Sequence, residues 1–351
     1  MEKILRQNVG IDCSKDKLDV SFGVLNNGFD TRIISTTVFE NKHSGWKKMM
    51  AWVKRLKLSE MELTFVVEAT GVYHEQLSLF LYEHGEAISV LLPNKVKNFA
   101  KTLSVKTVTD KVCAQTITQL GLEKKLDKWA PPKKIFNQLR QLTRERGQLN
   151  DEKTQVLCQL HAEESGAWIN KQSVHRMKER VRLIKKQITQ IGSEIREIVK
   201  ADSELTEKIK CICSIHGIGF LTAVTVLAET DGFNLIRNKK QLVSYAGLDV
   251  VEKTSGTSVK GKTRISGKGN KYLRKAMYMP ALSAIGRDGK MKQLFVRLVS
   301  KHGIKMKAAV AVQRNLLELI YVLWKKNESF DPCFGKKKLE QLQEAALNEM
   351  A

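Results

Sequence analysis

The sequence predicts an α/β domain followed by α-helical domains, and three observations carry that prediction. Over residues 7 to about 125, short β-branched and apolar segments alternate with amphipathic helical ones. From Pro131-Pro132 the chain turns to long, highly charged helix. After about residue 205 it turns again, to shorter apolar helices separated by glycine-rich turns. The domain limits that follow are 1–128, 129–204 and 205–330, with 331–351 as a peripheral tail.

A chain of 351 residues has room for two or three domains with cores of their own. Hydrophobic residues at 42% and charged residues at 28% describe a globular protein rather than a disordered one. Lysine and arginine number 60 against 37 acids, for a net charge of +23. A surplus of that size implies a polyanionic partner, most commonly nucleic acid, with an anionic membrane as the weaker alternative. Met1 to Arg6 lacks a signal-peptide core, and no apolar run approaches the roughly 18 residues of a membrane span. No membrane partner is expected. The cysteines, Cys13, Cys113, Cys158, Cys211, Cys213 and Cys333, are scattered and form no CxxC pair. Reduced thiols in a cytosolic protein fit them better than a zinc site or disulfides.

The first element, over 8–13, is an apolar run, Val9 to Ile11, that closes on Asp12. A strand over 18–25 follows with strict alternation, then a third over 31–40. Trp46, Met49, Met50 and Val53 are spaced for one helix face. A strand over 63–68 closes on Glu68, and a helix over 73–84 stops at Gly85, a common C-cap residue. The strand over 88–92 is halted by Pro93-Asn94. Thr109 can cap a helix opened by Asp110, with positions 110 and 113 on one face. A three-strand meander followed by alternating helices and strands is the order of a ribonuclease-H-like domain. In that fold strands one and four are neighbours, so Asp12 and Glu68 are expected to face one another. A carboxylate ending a buried strand is costly to desolvate unless it binds something positive, and a metal ion is the obvious candidate. Taken singly, each acid reads as an ordinary turn or cap residue. Carboxylates in this order suit metal-assisted phosphoryl chemistry with Mg2+.

The helical middle contains a strict seam: Val174, Met177, Val181, Ile184, Ile188, Ile191, Ile195 and Ile198, spaced alternately by three and four. Such a coiled-coil seam spans about 36 Å at roughly 1.5 Å per residue. It suits pairing with the preceding helix, pairing with another subunit, or both. Next, Ile215-His216-Gly217-Ile218-Gly219-Phe220 reads as a helix, a tight turn and a second helix, a helix-hairpin-helix-like segment. Such a turn either offers backbone N–H groups to phosphate or simply joins two helices.

Residues 251–275 form a basic stretch: Lys253, Lys260, Lys262, Arg264, Lys268, Lys271, Arg274 and Lys275 against the single acid Glu252. Basic runs are usually solvated loops. Here Gly256, Gly261, Gly267 and Gly269 let the backbone approach a polyanion closely, which favours phosphate contact. Helices are expected over roughly 271–285, 289–301 and 305–325.

Gly10-Ile11-Asp12, Val67-Glu68-Ala69-Thr70-Gly71 and Thr109-Asp110-Lys111 match one end of a known pattern. Gly217-Ile218-Gly219, Tyr245-Ala246-Gly247-Leu248, Thr254-Ser255-Gly256 and Ile265 to Asn270 with Leu273-Arg274 match the other. Over nearly its whole length the chain resembles the DEDD transposases of insertion-sequence family one-ten, bridge-RNA-guided recombinases related to Piv-type DNA invertases. The resemblance implies a RuvC-like N-terminal domain and a C-terminal transposase domain. It implies that Ser255 attacks a DNA phosphodiester and forms a phosphoserine ester, while Asp12, Glu68 and Asp110 hold Mg2+. It also implies donor and target DNA, a structured bridge RNA, and a coiled-coil homodimer that builds into a tetramer, in a bacterial cytoplasm at the nucleoid.

One position departs from the family. The pattern there is Asp-x-x-Asp, whereas this chain has Asp110-Lys111-Val112-Cys113. A thiolate is a soft ligand and a poor substitute for carboxylate on Mg2+, which leaves Cys113 in a doubtful fourth place. Two other readings stand beside the recombinase: a RuvC-like nuclease that hydrolyses with metal-bound water, and a catalytically decayed nucleic-acid-binding protein.

Overall fold

A computed structural model describes residues 3–331, apart from 59–60, 104–105, 108, 253, 257, 262 and 288. The chain divides into two compact units at Pro131/Pro132.

The first unit is built on five strands: β1 (Ile4–Cys13), β2 (Lys17–Asn26), β3 (Thr31–Glu40), β4 (Leu63–Glu68) and β5 (Ala87–Leu91), in the spatial order β3-β2-β1-β4-β5. β1–β2 and β2–β3 are antiparallel, while β1–β4 and β4–β5 are parallel. An antiparallel meander continued by parallel strands in that order is the ribonuclease-H-like arrangement, and it makes β1 and β4 neighbours as expected.

Alternation splits the strands between two faces. Val9, Ile11, Cys13, Val20, Phe22, Phe65 and Val67 form one core with residues of α1 (His43–Leu56) and α2 (Glu75–Glu83). The opposite face carries α3 (Pro93–Thr102) and α4 (Asp110–Glu123), where Val66 and Leu91 pack with Phe99, Ile117 and Leu120. The proline expected only to stop a strand also starts α3, because its fixed φ and missing N–H suit the first helical position.

α4 lies unusually close to the sheet. A Cβ added to Gly10 would fall 2.3 Å from the Thr118 nitrogen, and one added to Gly121 would fall 2.2 Å from Asn8 Nδ2. Asn8 Nδ2 donates to the Thr118 carbonyl at 3.0 Å, and the Gly10 N–H donates to Thr118 Oγ1 at 3.1 Å. These contacts set the first turn of α4 above the carboxyl end of β1. Thr109 caps that turn, accepting from the Val112 N–H.

The second unit is helical. α5 (Lys134–Glu164) and α6 (Lys171–Lys200) form a hairpin whose outer half buries Val156 against Val181 and Ile184. Val181 and Ile184 of the heptad seam are therefore buried within one chain, while Met177 and Ile188 are half-buried beside them. Nearer its base, Leu139, Ile191, Ile195 and Val199 join the core of the helices that follow. These are α7 (Ser203–Cys213), α8 (Phe220–Glu229), α9 (Lys239–Ala246), α10 (Lys271–Gly286), α11 (Lys290–His302) and α12 (Lys305–Lys326). α9 is not announced by apolar spacing; Asn238 caps its start and Gly247, at φ 69°, ends it. Gly217 adopts φ 90°, and a Cβ there would stand 2.8 Å from the Pro280 carbonyl of α10. The turn between α7 and α8 thus requires glycine for packing. Among the described residues no helix is long and apolar enough to cross a membrane.

The stretch expected to be a glycine-hinged loop contains two short antiparallel pairs. β6 (Val250–Val251) pairs with β9 (Arg264–Ile265), and beyond them β7 (Thr254–Ser255) pairs with β8 (Val259–Lys260). Ser255 is therefore carried on a hairpin that extends from a two-stranded stem.

Candidate active site

The first unit assembles an acidic row on the sheet face covered by α4. β1 and β4 pair in parallel as far as Ile11 opposite Val67, so the next residues, Asp12 and Glu68, stand side by side at the strand ends. Asp12 is also the cross-strand partner of Asp19 on β2. Partners in an antiparallel pair share a face, so Glu68, Asp12 and Asp19 line three adjacent strands. Asp110 and Cys113, in the first turn of α4, lie over them.

The electrostatics agree with that convergence. Asp12 is pushed up to about 6, first by burial and then by the charges of Glu68, Asp110 and Asp19, with Lys17 opposing. Burial raises Glu68, against a hydrogen bond from Thr70. The Cys113 thiol is raised by burial and by the same four carboxylates, so it stays protonated and is a still poorer metal ligand than its softness alone suggests. The row is short of positive charge. Among the described residues its close cation is Lys17, whose Nζ lies 2.8 Å from Asp110 Oδ2 and 3.6 Å from Asp19 Oδ2.

The donor set fits a hard divalent ion. The groups are carboxylates, three of them raise Asp12, and an ammonium already stands between two of them. Among the described residues, though, no three His, Cys, Asp or Glu side chains are drawn together at metal-binding distances. The strands align the carboxylates without closing them.

In this row, Asp19 is a residue that sequence reasoning missed. Its signal was available: it is the acid in an otherwise regular alternating strand, Leu18, Val20 and Phe22 facing one way, and it mirrors Asp12 across a short turn. Its side chain is only 8% exposed.

The second unit carries Ser255, exposed on β7 beside Gly256, which takes φ 54°. Arg264, Lys268 and Lys271 are exposed, whereas Lys253 and Lys262 lie outside the described residues, as does the side chain of Lys260. Lys271 stacks over the Tyr272 ring at 5.3 Å. Arg274, also expected to contact nucleic acid, is half-buried and donates to the Ala246 carbonyl at 2.8 Å.

The stem beneath Ser255 is held tightly. Ser266 N–H donates to the Asp249 carbonyl at 2.8 Å, and Asn270 N–H donates to the Tyr245 carbonyl at 2.8 Å. Asn270 also caps α10 through Oδ1 and donates through Nδ2 to Glu229 Oε2 at 2.7 Å. Glu229 in turn receives both prongs of Arg144. Sequence reading saw Asn270 only as part of a motif and did not identify Glu229 or Arg144, because they come together from α8 and α5.

Two family models match the chain. One, for DEDD transposases of IS110 and described as "Transposase", matches residues 9–163; the other, "Transposase IS116/IS110/IS902 family", matches residues 209–296. The chain is 27% identical over 324 residues to the pilin gene-inverting protein of Moraxella bovis, covering 92% of this chain and 97% of that protein. It is 26% identical over 112 residues to an uncharacterized protein of insertion element IS110 from Streptomyces coelicolor, covering 32% and 27% of the two. Among solved structures, a Thermus thermophilus RuvC in complex with a Holliday junction substrate aligns at 12% identity and a TM-score of 0.27, over 35% of this chain and 99% of RuvC.

Proposed function

Because the chain belongs to the IS110-family DEDD transposases, which are DNA recombinases, we propose that it cuts and rejoins DNA with a carboxylate-held divalent ion and a serine nucleophile. The observation that carries this reading is the row of Glu68, Asp12 and Asp110 at the strand ends of a ribonuclease-H-like sheet. Asp12, Glu68 and Asp110 would hold the ion, taken here as Mg2+. The ion supplies charge neutralisation at the scissile phosphate and activation of the attacking oxygen.

Ser255 is the proposed nucleophile. Its Oγ forms a bond to phosphorus, the bond from phosphorus to the 3′ oxygen breaks, and the hydroxyl proton ends on that 3′ oxygen. Exposure on a hairpin leaves Ser255 open to a backbone phosphate, and Arg264, Lys268 and Lys271 are exposed along the chain that follows the hairpin. Lys253, Lys260 and Lys262 belong to the same proposed nucleic-acid surface. The net charge of +23 suits a nucleic-acid partner, and the family resemblance alone supports a structured bridge RNA as the selector of donor and target DNA. The resemblance also supports a homodimer through the helical hairpin, building to a tetramer, at the bacterial nucleoid. In that arrangement the acidic row of one subunit serves the serine of another.

A second reading has an observation in its favour. The ribonuclease-H-like topology with acids at its strand ends is sufficient for hydrolysis by metal-bound water, with no role for Ser255. Denaturing analysis of end-labelled DNA after reaction separates the two. Recombination through serine predicts a protein–DNA adduct that is lost in Ser255→Ala and retained in Ser258→Ala. Cleavage to a free 5′ phosphate, unchanged in Ser255→Ala, supports hydrolysis instead.

A further inference from the structure

The family's fourth carboxylate is missing from this chain, and Cys113 cannot replace it. Among the described residues, one buried acid in the neighbourhood has no assigned role. Asp19 is the register partner of Asp12 and lies on the same face of the sheet. Its side chain is 8% exposed, where an ordinary surface aspartate would be open to water. A buried carboxylate is retained against its desolvation cost only when something positive compensates it. The cation that does so here is Lys17, and it is shared. The same Nζ that stands 3.6 Å from Asp19 Oδ2 stands 2.8 Å from Asp110 Oδ2. One positive charge is therefore already accommodated between Asp19 and an acid proposed for the metal site.

We propose that Asp19 supplies the fourth carboxylate of the divalent-metal site, in the place that Cys113 cannot fill, and that Lys17 is the counter-ion the metal displaces. The geometry behind this is the strand register and the position of the shared ammonium. Lys17 sits on β2 two residues before Asp19, with a side chain half exposed to solvent, so it can swing out of the row without disturbing the ladder. A hard ion prefers carboxylate oxygen to sulfur, so the fourth place at this site falls to Asp19 rather than to position 113. The inference rests on the acidic row being the metal site, as proposed above.

The test is calorimetric titration of the full chain with Mg2+, repeated with Mn2+, in the absence of nucleic acid. Asp12→Asn reads the acidic row itself and is expected to abolish binding. Asp19→Asn is expected to weaken affinity by at least about tenfold, the lower end of what disturbing a metal's supporting groups costs. Adding Cys113→Asp to Asp19→Asn is expected to restore affinity to within about threefold, since it rebuilds the family's Asp-x-x-Asp pair. Lys17→Met, which leaves Asp19 in place, is expected to tighten binding by removing the competing ammonium. If Asp12→Asn loses binding while Asp19→Asn and Lys17→Met both match the wild type, Asp19 is not a ligand and the inference is overturned. If Asp12→Asn also binds normally, the acidic row is not the metal site, and the reading beneath the inference falls with it.

Discussion

Arg144 of α5 and Glu229 at the end of α8 meet in a two-pronged ion pair, Nε to Oε1 at 2.7 Å and Nη2 to Oε2 at 2.8 Å, on a carboxylate side chain only 1% exposed. The same carboxylate orients Asn270, which caps α10 at the foot of the stem that carries Ser255. The Arg144 guanidinium also lies over the Tyr272 ring at 4.4 Å. Removing one partner of a buried pair leaves an uncompensated charge, at a cost of about 3 kcal/mol. Arg144→Met should lower the thermal midpoint markedly, and Arg144→Met with Glu229→Leu should recover most of the loss. A double variant no better than the single one would show that Arg144 acts mainly by packing.

The raised Asp12 sets a pH dependence. A carboxyl whose folded value lies above its unfolded value binds its proton more tightly when folded. Its contribution to stability is therefore fully present below about 4 and is lost as pH rises through about 6. Metal binding runs the opposite way, because the ion needs the ionised form. Mg2+ affinity should fall by about tenfold per pH unit below 6 and level off above it. Titrations at several pH values would show this, and a flat profile from 5 to 8 would remove Asp12 from the site.

Asp12→Asn and Glu68→Gln should each abolish Mg2+-dependent strand exchange. Asp12→Asn should also raise the melting temperature of the metal-free protein at neutral pH, since it removes a crowded charge, by a few degrees, roughly 3 °C if about 1 kcal/mol is relieved. Wild-type strand exchange in both variants would sink the assignment of the row.

Ile184 is buried between α5 and α6, so Ile184→Ala should cost about 2–5 kcal/mol and Ile184→Glu more. Circular dichroism melts would register the loss. Unchanged melting in the glutamate variant would contradict the packing of the hairpin.

For the basic stretch, each phosphate contact contributes about 0.9 to the salt dependence of duplex binding. Replacing Lys260 and Lys262 by alanine should weaken DNA binding and flatten its slope on a log–log plot of affinity against salt. A slope equal to that of the wild type would place the contacts elsewhere.

Much of this protein is written in local pattern. Alternation in β2, the 3,4 spacing of α6 and the cap at Thr109 follow from backbone geometry and appear as predicted. So does the neighbouring of Asp12 and Glu68, because the order of elements admits one familiar sheet. Short helices without a long apolar stripe, α3 and α9, are defined by caps and tertiary packing and escape periodicity. The seam's partner was likewise undecided, since Ile184 and Ile191 are equally satisfied by a second subunit or by α5. In the fold, Ile184 packs with Val156 of α5 and Ile191 joins the core of the helices that follow.

The residues that sequence reading missed share one cause. Asp19 gains its meaning from register, through Asp12 across the ladder and Asp110 on a helix about ninety positions away. Glu229 gains its meaning from Arg144 and Asn270, each of the three coming from a separate segment. Residue types and their spacing along the chain specify which elements form and how charge is distributed, because those depend on neighbours within a few positions. Which carboxylate is compensated, and by what, depends on desolvation by distant segments, and that is settled only when the chain has packed.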